Sequence, residues 1–182
     1  LKLPFMKQNG RYKHLKTKQF EAVALPYGKG DFAFYIFLPK AGGSVQSFVK
    51  KLQYSNWQSW MTQFRKMPGN ISLPSFTLEY EIELSEALKA LGMALAFSQT
   101  ADFSEMVPPP LRAAISQVKH KTFMEVTEVG TEAAAATSVE VVMTASLPPQ
   151  PFELLVDRPF VCAIRDERSG ALLFIGAVSA PK

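Results

Sequence analysis

Glu128-Val129-Gly130-Thr131-Glu132-Ala133-Ala134-Ala135-Ala136-Thr137 runs from a strand-like pattern into a glycine and then into four alanines. Alanine favours helix over strand, so local preference and surrounding pattern conflict. Such a conflict marks functional elements. Read at period two, Thr131, Ala133, Ala135, Thr137, Val139 and Val141 line one face, and Glu132, Ala134, Ala136, Ser138 and Glu140 line the other. The first face is small and mostly apolar, suited to a strand laid into a sheet over a crowded core. It is followed by Met143-Thr144-Ala145-Ser146-Leu147-Pro148-Pro149, the composition of an exposed loop with a rigid end. The segment therefore combines the character of a loop with that of a spare strand.

The sequence on either side of this segment reads as strand. Upstream, Ile115–Thr127 reads as a long strand with Val118, His120, Thr122, Met124 and Val126 on one face and Lys119, Lys121 and Glu125 on the other. Downstream, Phe160–Ile164 and Ala171–Val178 read as buried strands joined by the polar turn 165–170. Phe20–Leu25 and the unbroken apolar run Phe32–Leu38, separated by Tyr27-Gly28-Lys29-Gly30-Asp31, predict a hairpin whose second strand is buried on both faces. In 76–83, Phe76, Leu78, Tyr80 and Ile82 alternate with Thr77, Glu79, Glu81 and Glu83, the pattern of a strand with one wet face. Ser44, Ser55 and Ser85 are each placed to cap a short helix. The second carries Trp57, Trp60, Met61 and Phe64 at core spacing, and the third a stripe of Leu88, Leu91 and Leu95. Pro108-Pro109-Pro110 marks a loop. There is no internal repeat and no linker sharp enough to divide the chain, so the expected fold class is α+β.

With 182 residues, 47% apolar and 12% aromatic, the chain can bury a core of one domain's size. Its formal charge of +4 owes much to Arg11, Lys13, His14, Lys16 and Lys18. That cluster could attract polyanions, but it reads first as a solvated basic turn, and no recognition-helix pattern accompanies it, which argues against a nucleic-acid partner. The single cysteine, Cys162, lies in an apolar run and reads as a buried small hydrophobe. Pairing Cys162 or a serine with His14 or His120 as base finds no elbow or metal motif to support it, so an enzyme is not expected. No apolar stretch approaches the roughly 20 residues of a membrane span. Leu1-Lys2-Leu3-Pro4 is neither a signal peptide nor an initiator start, so the chain is expected to begin in mid-fold.

At these residues the chain resembles a family. Gly130-Thr131-Glu132 with its alanine run is similar to the proximal hinge of inhibitory serpins, and Leu154-Leu155-Val156-Asp157-Arg158-Pro159-Phe160-Val161-Cys162-Ala163-Ile164 resembles the signature that follows their reactive loop. Val118-Lys119-His120-Lys121 resembles the fifth strand of the family's main sheet, with His120 at the shutter position. Pro4-Phe5-Met6-Lys7-Gln8, Leu25-Pro26-Tyr27 and Ile36-Phe37-Leu38-Pro39 resemble parts of the second and third sheets, and Gly176 with Pro181 the terminal motif. The resemblance covers essentially all 182 residues. Serpins are roughly twice as long, so it implies a multi-sheet fold of which residues 1–182 form the carboxy-terminal part, with an amino-terminal half of the same domain as a missing partner.

The resemblance further implies a suicide-substrate inhibitor of a serine protease with no cofactor, and it favours an extracellular location. Residues 128–149 would form the hinge and reactive centre loop, with the hinge comprising Glu128, Gly130, Thr131, Glu132, Ala133, Ala134, Ala135, Ala136 and Thr137. Residues 131–142 would insert into the main sheet after cleavage. Counting from Gly130 in the family manner places the scissile bond at Thr144-Ala145, alignment on Ser146-Leu147-Pro148-Pro149 places it at Ala145-Ser146, and Met143 is a third candidate for the acyl side. No Arg or Lys lies between Gly130 and Phe152, which favours an elastase-like, subtilisin-like or chymotrypsin-like target over a trypsin-like one. The rival expectation is a non-inhibitory serpin acting as a binder or chaperone.

Overall fold

The computed structural model describes residues 5–108, 110–127 and 150–179. They form two compact units, one reaching to Phe76 and resuming at Glu125, the other Thr77–Met124. The fold is α+β, with a mixed seven-stranded sheet and few helices.

The first unit is organised around β1 (Phe5–Lys16), β2 (Phe20–Tyr27), β3 (Phe32–Pro39), β4 (Arg65–Pro74), β7 (Phe152–Leu155), β8 (Phe160–Asp166) and β9 (Leu172–Val178), in the order β7-β4-β1-β2-β3-β8-β9. The hairpin forms as its sequence predicts, β2 and β3 pairing from Phe20↔Pro39 to Tyr27↔Phe32. After its first residue β3 is buried throughout, because both of its faces are covered.

One face of the hairpin carries Phe20, Ala22, Ala24, Tyr35 and Phe37, joined by Val161 and Ala163 of β8. Over this face pack α1 (Val45–Val49) and α2 (Tyr54–Gln63). Small alanines on β2 leave room for the large rings contributed by β3 and the helices. Phe37 lies 5.5 Å from Phe48, 5.5 Å from Trp57 and 5.9 Å from Trp60, centroid to centroid. The expected core role of Trp57, Trp60, Met61 and Phe64 holds. Tyr35 keeps its polar tip satisfied by donating to Glu167 Oε1 at 2.8 Å, and the same oxygen accepts from Arg165 at 2.7 Å.

The helix starts differ from expectation in two of three cases. Ser44 caps α1, its Oγ accepting the Ser47 N–H at 3.1 Å. Ser55 instead lies inside α2, which begins after Gln53 without a side-chain cap; Asn56 Nδ2 secures the entry by donating to the Lys51 carbonyl at 2.8 Å. Ser85 is the first residue of α3 (Ser85–Leu88). Its hydroxyl accepts the Val118 N–H at 3.0 Å, and its own N–H is taken by Glu83 at 2.8 Å.

β4, β7 and the greater part of β1 are new relative to the sequence reading. The basic cluster 11–18 is not a turn for most of its length: Arg11, Lys13, His14 and Lys16 lie in β1, and only Thr17–Gln19 turn the chain. β1 pairs with β4 from Phe5↔Pro74 to His14↔Arg65, and with β2 from Lys13↔Ala24 to Lys16↔Glu21. The segments around Phe5–Gln8 and Leu25–Tyr27, both expected in sheet, lie in this one seven-stranded sheet.

β9 corrects a further expectation. Read as buried, it exposes Leu172 (42%), Leu173 (51%), Phe174 (43%) and Ile175 (51%), because it is the outermost strand and the described residues leave its faces uncovered there.

In the second unit, β5 (Phe76–Glu83) and β6 (Lys119–Val126) form a two-stranded sheet. β6 is shorter than the expected 115–127. The face of β5 expected to be buried holds Phe76 buried at its start but leaves Tyr80 and Ile82 exposed, no described residue covering them. The leucine stripe is broken as well. The chain continues from α3 through a kinked helical segment to Phe97, with Gly92 at φ 103, and Leu91 and Leu95 point into solvent.

Candidate functional site

The hinge residues Glu128, Gly130, Thr131, Glu132, Ala133, Ala134, Ala135, Ala136 and Thr137 and the reactive-bond candidates Met143, Thr144, Ala145 and Ser146 lie outside the described residues. The structure describes what precedes and follows them: Val126 and Thr127 before the segment, β7 after it.

At its far end the segment is tied into the large sheet almost at once. β7 lies parallel to β4, with Gly69↔Phe152, Asn70↔Glu153, Ile71↔Leu154 and Ser72↔Leu155 in register, and the ladder continues as Val156 N–H donates to the Ser72 carbonyl at 2.8 Å. Leu154 and Val156 are buried. Arg158 Nε donates to the Pro39 carbonyl at 2.8 Å, fastening the turn between β7 and β8 to the end of the central hairpin. Asp157 accepts from Arg158 Nη1 at 2.8 Å, which fixes the guanidinium for that contact.

The first residue of β7 is held by an arrangement the sequence did not announce. The Phe152 ring stacks on the buried His14 imidazole, centroids 3.9 Å apart and planes 12° off parallel. His14 Nε2 is 2.8 Å from Glu21 Oε1, so its polar edge is partnered while its face packs on the ring. Beneath the ring lies Gly69. A Cβ at that position would sit 2.2 Å from Phe152 Cε1 and 2.3 Å from its Cζ, so only glycine leaves space for the ring. Pro68-Gly69 reads as turn punctuation, and the signal that could have revealed a strand was the apolar alternation of Ile71 and Leu73 beyond it.

Gly69→Ala is therefore expected to displace Phe152 from His14 and cost about 1–3 kcal/mol through overpacking. Denaturant unfolding of Gly69→Ala, Phe152→Ala and the double variant checks this. The double variant should lose clearly less than the sum of the singles, since without the ring the added methyl meets no obstacle. Strict additivity would show that Gly69 and Phe152 do not share this site.

His120, the shutter candidate, lies in β6 and is exposed in this chain. Its Nε2 is 2.8 Å from Thr122 Oγ1, a contact along its own strand rather than across strands. Cys162 is buried, and burial pushes its thiol up to about 12, which leaves almost no thiolate near neutrality. His14 is committed to Phe152 and Glu21. None of the three is set up as a catalytic group. Among the described residues no cluster of His, Cys, Asp or Glu could hold a metal ion, and no helix is long and apolar enough to cross a membrane.

Comparison with known proteins agrees with the features around the segment. The family model described as Serpin (serine protease inhibitor) matches residues 1–181. Serpin-Z2A of Triticum aestivum is 38% identical, the match covering 100% of this chain and 48% of the wheat protein. Serpin-ZX of Hordeum vulgare is 37% identical over 98% of this chain and 47% of its own. Native tengpin, a thermophilic serpin, matches with a TM-score of 0.77 at 32% identity, over 99% of this chain and 46% of that one. Mouse protein-Z dependent protease inhibitor matches with a TM-score of 0.79 at 27% identity, over 100% and 46%. The chain spans about half the length of the curated relatives it matches. With the match running over residues 1–181 and taking in both the alanine-rich segment and the strands anchored behind it, the chain belongs to the serpin family.

Proposed function

We propose that residues 1–182 are the carboxy-terminal part of a single serpin domain that inhibits a serine protease as a suicide substrate, with 128–149 as its hinge and reactive centre loop. The observation that carries this reading is the small face Thr131, Ala133, Ala135, Thr137 at period two, directly after Gly130. In the proposed mechanism the protease serine attacks the scissile carbonyl and forms an acyl-enzyme. The cleaved loop then enters the main sheet as an added strand, carrying the tethered protease with it before deacylation. His120 acts in this reading as a shutter residue where the sheet opens. The family is one of inhibitors, and the loop brings no hydrolytic machinery of its own, so the chain is bait and not enzyme.

Length and energy are adequate for this. The fourteen positions from Gly130 to Met143 span roughly 45 Å when extended. About a dozen new backbone hydrogen bonds at on the order of 1 kcal/mol each supply a drive of on the order of 10 kcal/mol. The uncut protein is accordingly a stored-strain state. The anchor at Phe152 supports the same reading, because a cut loop must stay fixed at one end of the gap while its other part moves away. Cleavage falls at Met143, Thr144 or Ala145 on the acyl side, Ser146 being the far side of the last bond, and the absence of basic residues favours an elastase-like, subtilisin-like or chymotrypsin-like target.

The partner that completes the fold is an amino-terminal half of the same domain. Leu172–Ile175 of β9, Tyr80 and Ile82 of β5 and the exposed Leu91 and Leu95 provide the apolar surface such a half would cover.

Thermal unfolding of the full-length protein before and after limited cleavage within 143–146 tests the proposal. Insertion should raise the midpoint by about 20 °C or more. An unchanged midpoint would overturn the inhibitory mechanism and leave the binder or chaperone reading.

A further inference from the structure

We propose that Asn70 is an attachment site for an N-linked glycan, taking its oligosaccharide from a polyprenyl-pyrophosphate donor in a secretory compartment. Asn70-Ile71-Ser72 has the acceptor pattern, an asparagine with a hydroxyl two positions on and no proline between. Asn9 is followed by Gly10-Arg11 and Asn56 by Trp57-Gln58, so neither of these can serve. The proposal takes the chain along a secretory route, the route that its resemblance favours.

The pattern lies in β4 and not in a loop, so the strand's register decides whether a glycan fits there. Gly69, Ile71 and Leu73 are buried on the inner face, which turns Asn70 and Ser72 to the outer face of the sheet. There Asn70 stands opposite Asn9 of β1 and Glu153 of β7, and Ser72 stands opposite Lys7 and Leu155. All four of these neighbours are exposed. A sugar rooted at Asn70 therefore leaves the sheet over solvated side chains and displaces no core residue. A register shifted by one would instead aim the acceptor at the inner face, where Phe152 fills the space above Gly69.

The acceptor amide has a proton to spare. Asn70 Nδ2 donates to Glu153 Oε1, and a primary amide carries two protons. Transfer forms a bond between Nδ2 and the anomeric carbon of the first sugar and breaks that carbon's bond to the pyrophosphate oxygen. One Nδ2 proton passes to the transferase and on to solvent, and the polyprenyl pyrophosphate departs. The second proton stays on Nδ2, so the hydrogen bond to Glu153 survives in the glycosylated, folded protein.

The half-buried position of Asn70 in the finished sheet is no obstacle to attachment, because its partner is made later. The contact with Glu153 spans 83 residues of sequence. At roughly 5–20 residues per second, Glu153 is synthesised about 4–17 s after Asn70. In that interval β7 does not yet exist, and the amide is open to the transferase.

This site lies outside the segment 128–149, so it stands or falls independently of the inhibitory mechanism. The full-length protein is passed through a eukaryotic secretory pathway, and its secreted, folded fraction is digested with trypsin. Peptide 67–89 is then treated in heavy-oxygen water with a glycosidase that cuts at the asparagine, leaving a labelled aspartate at position 70 wherever a glycan stood. At least half of the secreted molecules should carry the label. Ser72→Ala should abolish it, Ser72→Thr should keep it, and Asn9→Gln should leave it unchanged. Because Ser72 points outward, Ser72→Ala should be secreted too, with a thermal midpoint within about 4 °C of the glycosylated protein. A label in fewer than half of the secreted molecules, or only in misfolded chains retained in the cell, would overturn the proposal. So would a label that survives Ser72→Ala, or a glycosylated protein that melts more than about 4 °C below that variant, which would show that the outer face has no room for the sugar.

Discussion

Under the proposed mechanism, Thr131→Arg is expected to convert the protein from an inhibitor into a substrate: the protease cuts the loop and leaves, and the detergent-resistant covalent complex is lost. The reason lies in the order of events in the proposed mechanism. Insertion would begin at the hinge, where Gly130 would allow the backbone to swing and Thr131, at period two, would be the first side chain to face inward. Each new strand rung contributes on the order of 1 kcal/mol, and at that point only one or two have formed. Taking an unpaired guanidinium out of water costs several kcal/mol, more than those rungs supply. The insertion front stalls, deacylation overtakes it, and the stoichiometry of protease inactivation should rise about tenfold or more. Gel analysis of the acyl complex and titration of residual protease activity measure this directly. Glu132→Arg is the control, because at period two its side chain faces outward and should leave most of the complex intact. A stable complex formed by Thr131→Arg would sink the mechanism, and equal losses for both variants would sink the assignment of faces.

The prediction rests on a pattern legible in sequence, and comparison of the elements shows where such legibility ends. The β2–β3 hairpin was readable because glycine-rich turn chemistry sits between two apolar runs, and nearly every residue of β3 obeys a single rule, burial. β4 was not, because Pro68 and Gly69 are turn signals in isolation. Their place in a strand makes sense only with the partner in view: Gly69 lies under a ring supplied from a position 83 residues further on, at Phe152. His14 was misread for the same reason. Its neighbours are basic and solvated, and nothing local says that one imidazole in the cluster turns inward to stack on that ring. β9 shows the converse failure. Its run of Leu172, Leu173, Phe174 and Ile175 satisfies the local criterion for a buried strand, but burial needs a covering layer, and the described residues provide none. The alanine-rich segment was conspicuous because its preferences conflict with its setting, a property of the residues themselves that needs no partner. For the anchor behind it, the apolar residues were legible and the arrangement that holds them was not.

The second large effect is expected in the core on which that anchor depends. Phe37→Ala should destabilise the protein by about 3–5 kcal/mol, the cost of deleting a fully buried aromatic side chain in a packed interior. Phe37 lies at the centre of a ring cluster, with Phe20 at 5.9 Å, Phe48 at 5.5 Å, Trp57 at 5.5 Å and Phe64 at 6.5 Å. These come from β2, α1 and α2 and from the residue that ends α2, so no single neighbour can move in to fill the space without leaving its own partners. Val49→Ala, on the exposed side of α1, should change stability by less than about 0.5 kcal/mol. Phe37→Leu should fall between them, since it keeps the apolar volume but loses the ring contacts. Denaturant unfolding of the four proteins orders them, and a loss for Phe37→Ala no greater than that for Val49→Ala would show that the core is not built around this residue. The effect extends to the loop because Phe37 faces Val161 across the β3–β8 ladder, and the turn before β8 is fastened by Arg158 to the Pro39 carbonyl two residues further along β3. A cavity at Phe37 should therefore loosen the far end of the reactive segment as well as the hairpin. Amide protection in β7 and β8 should fall together with that of β3, and protection in β5 should hold.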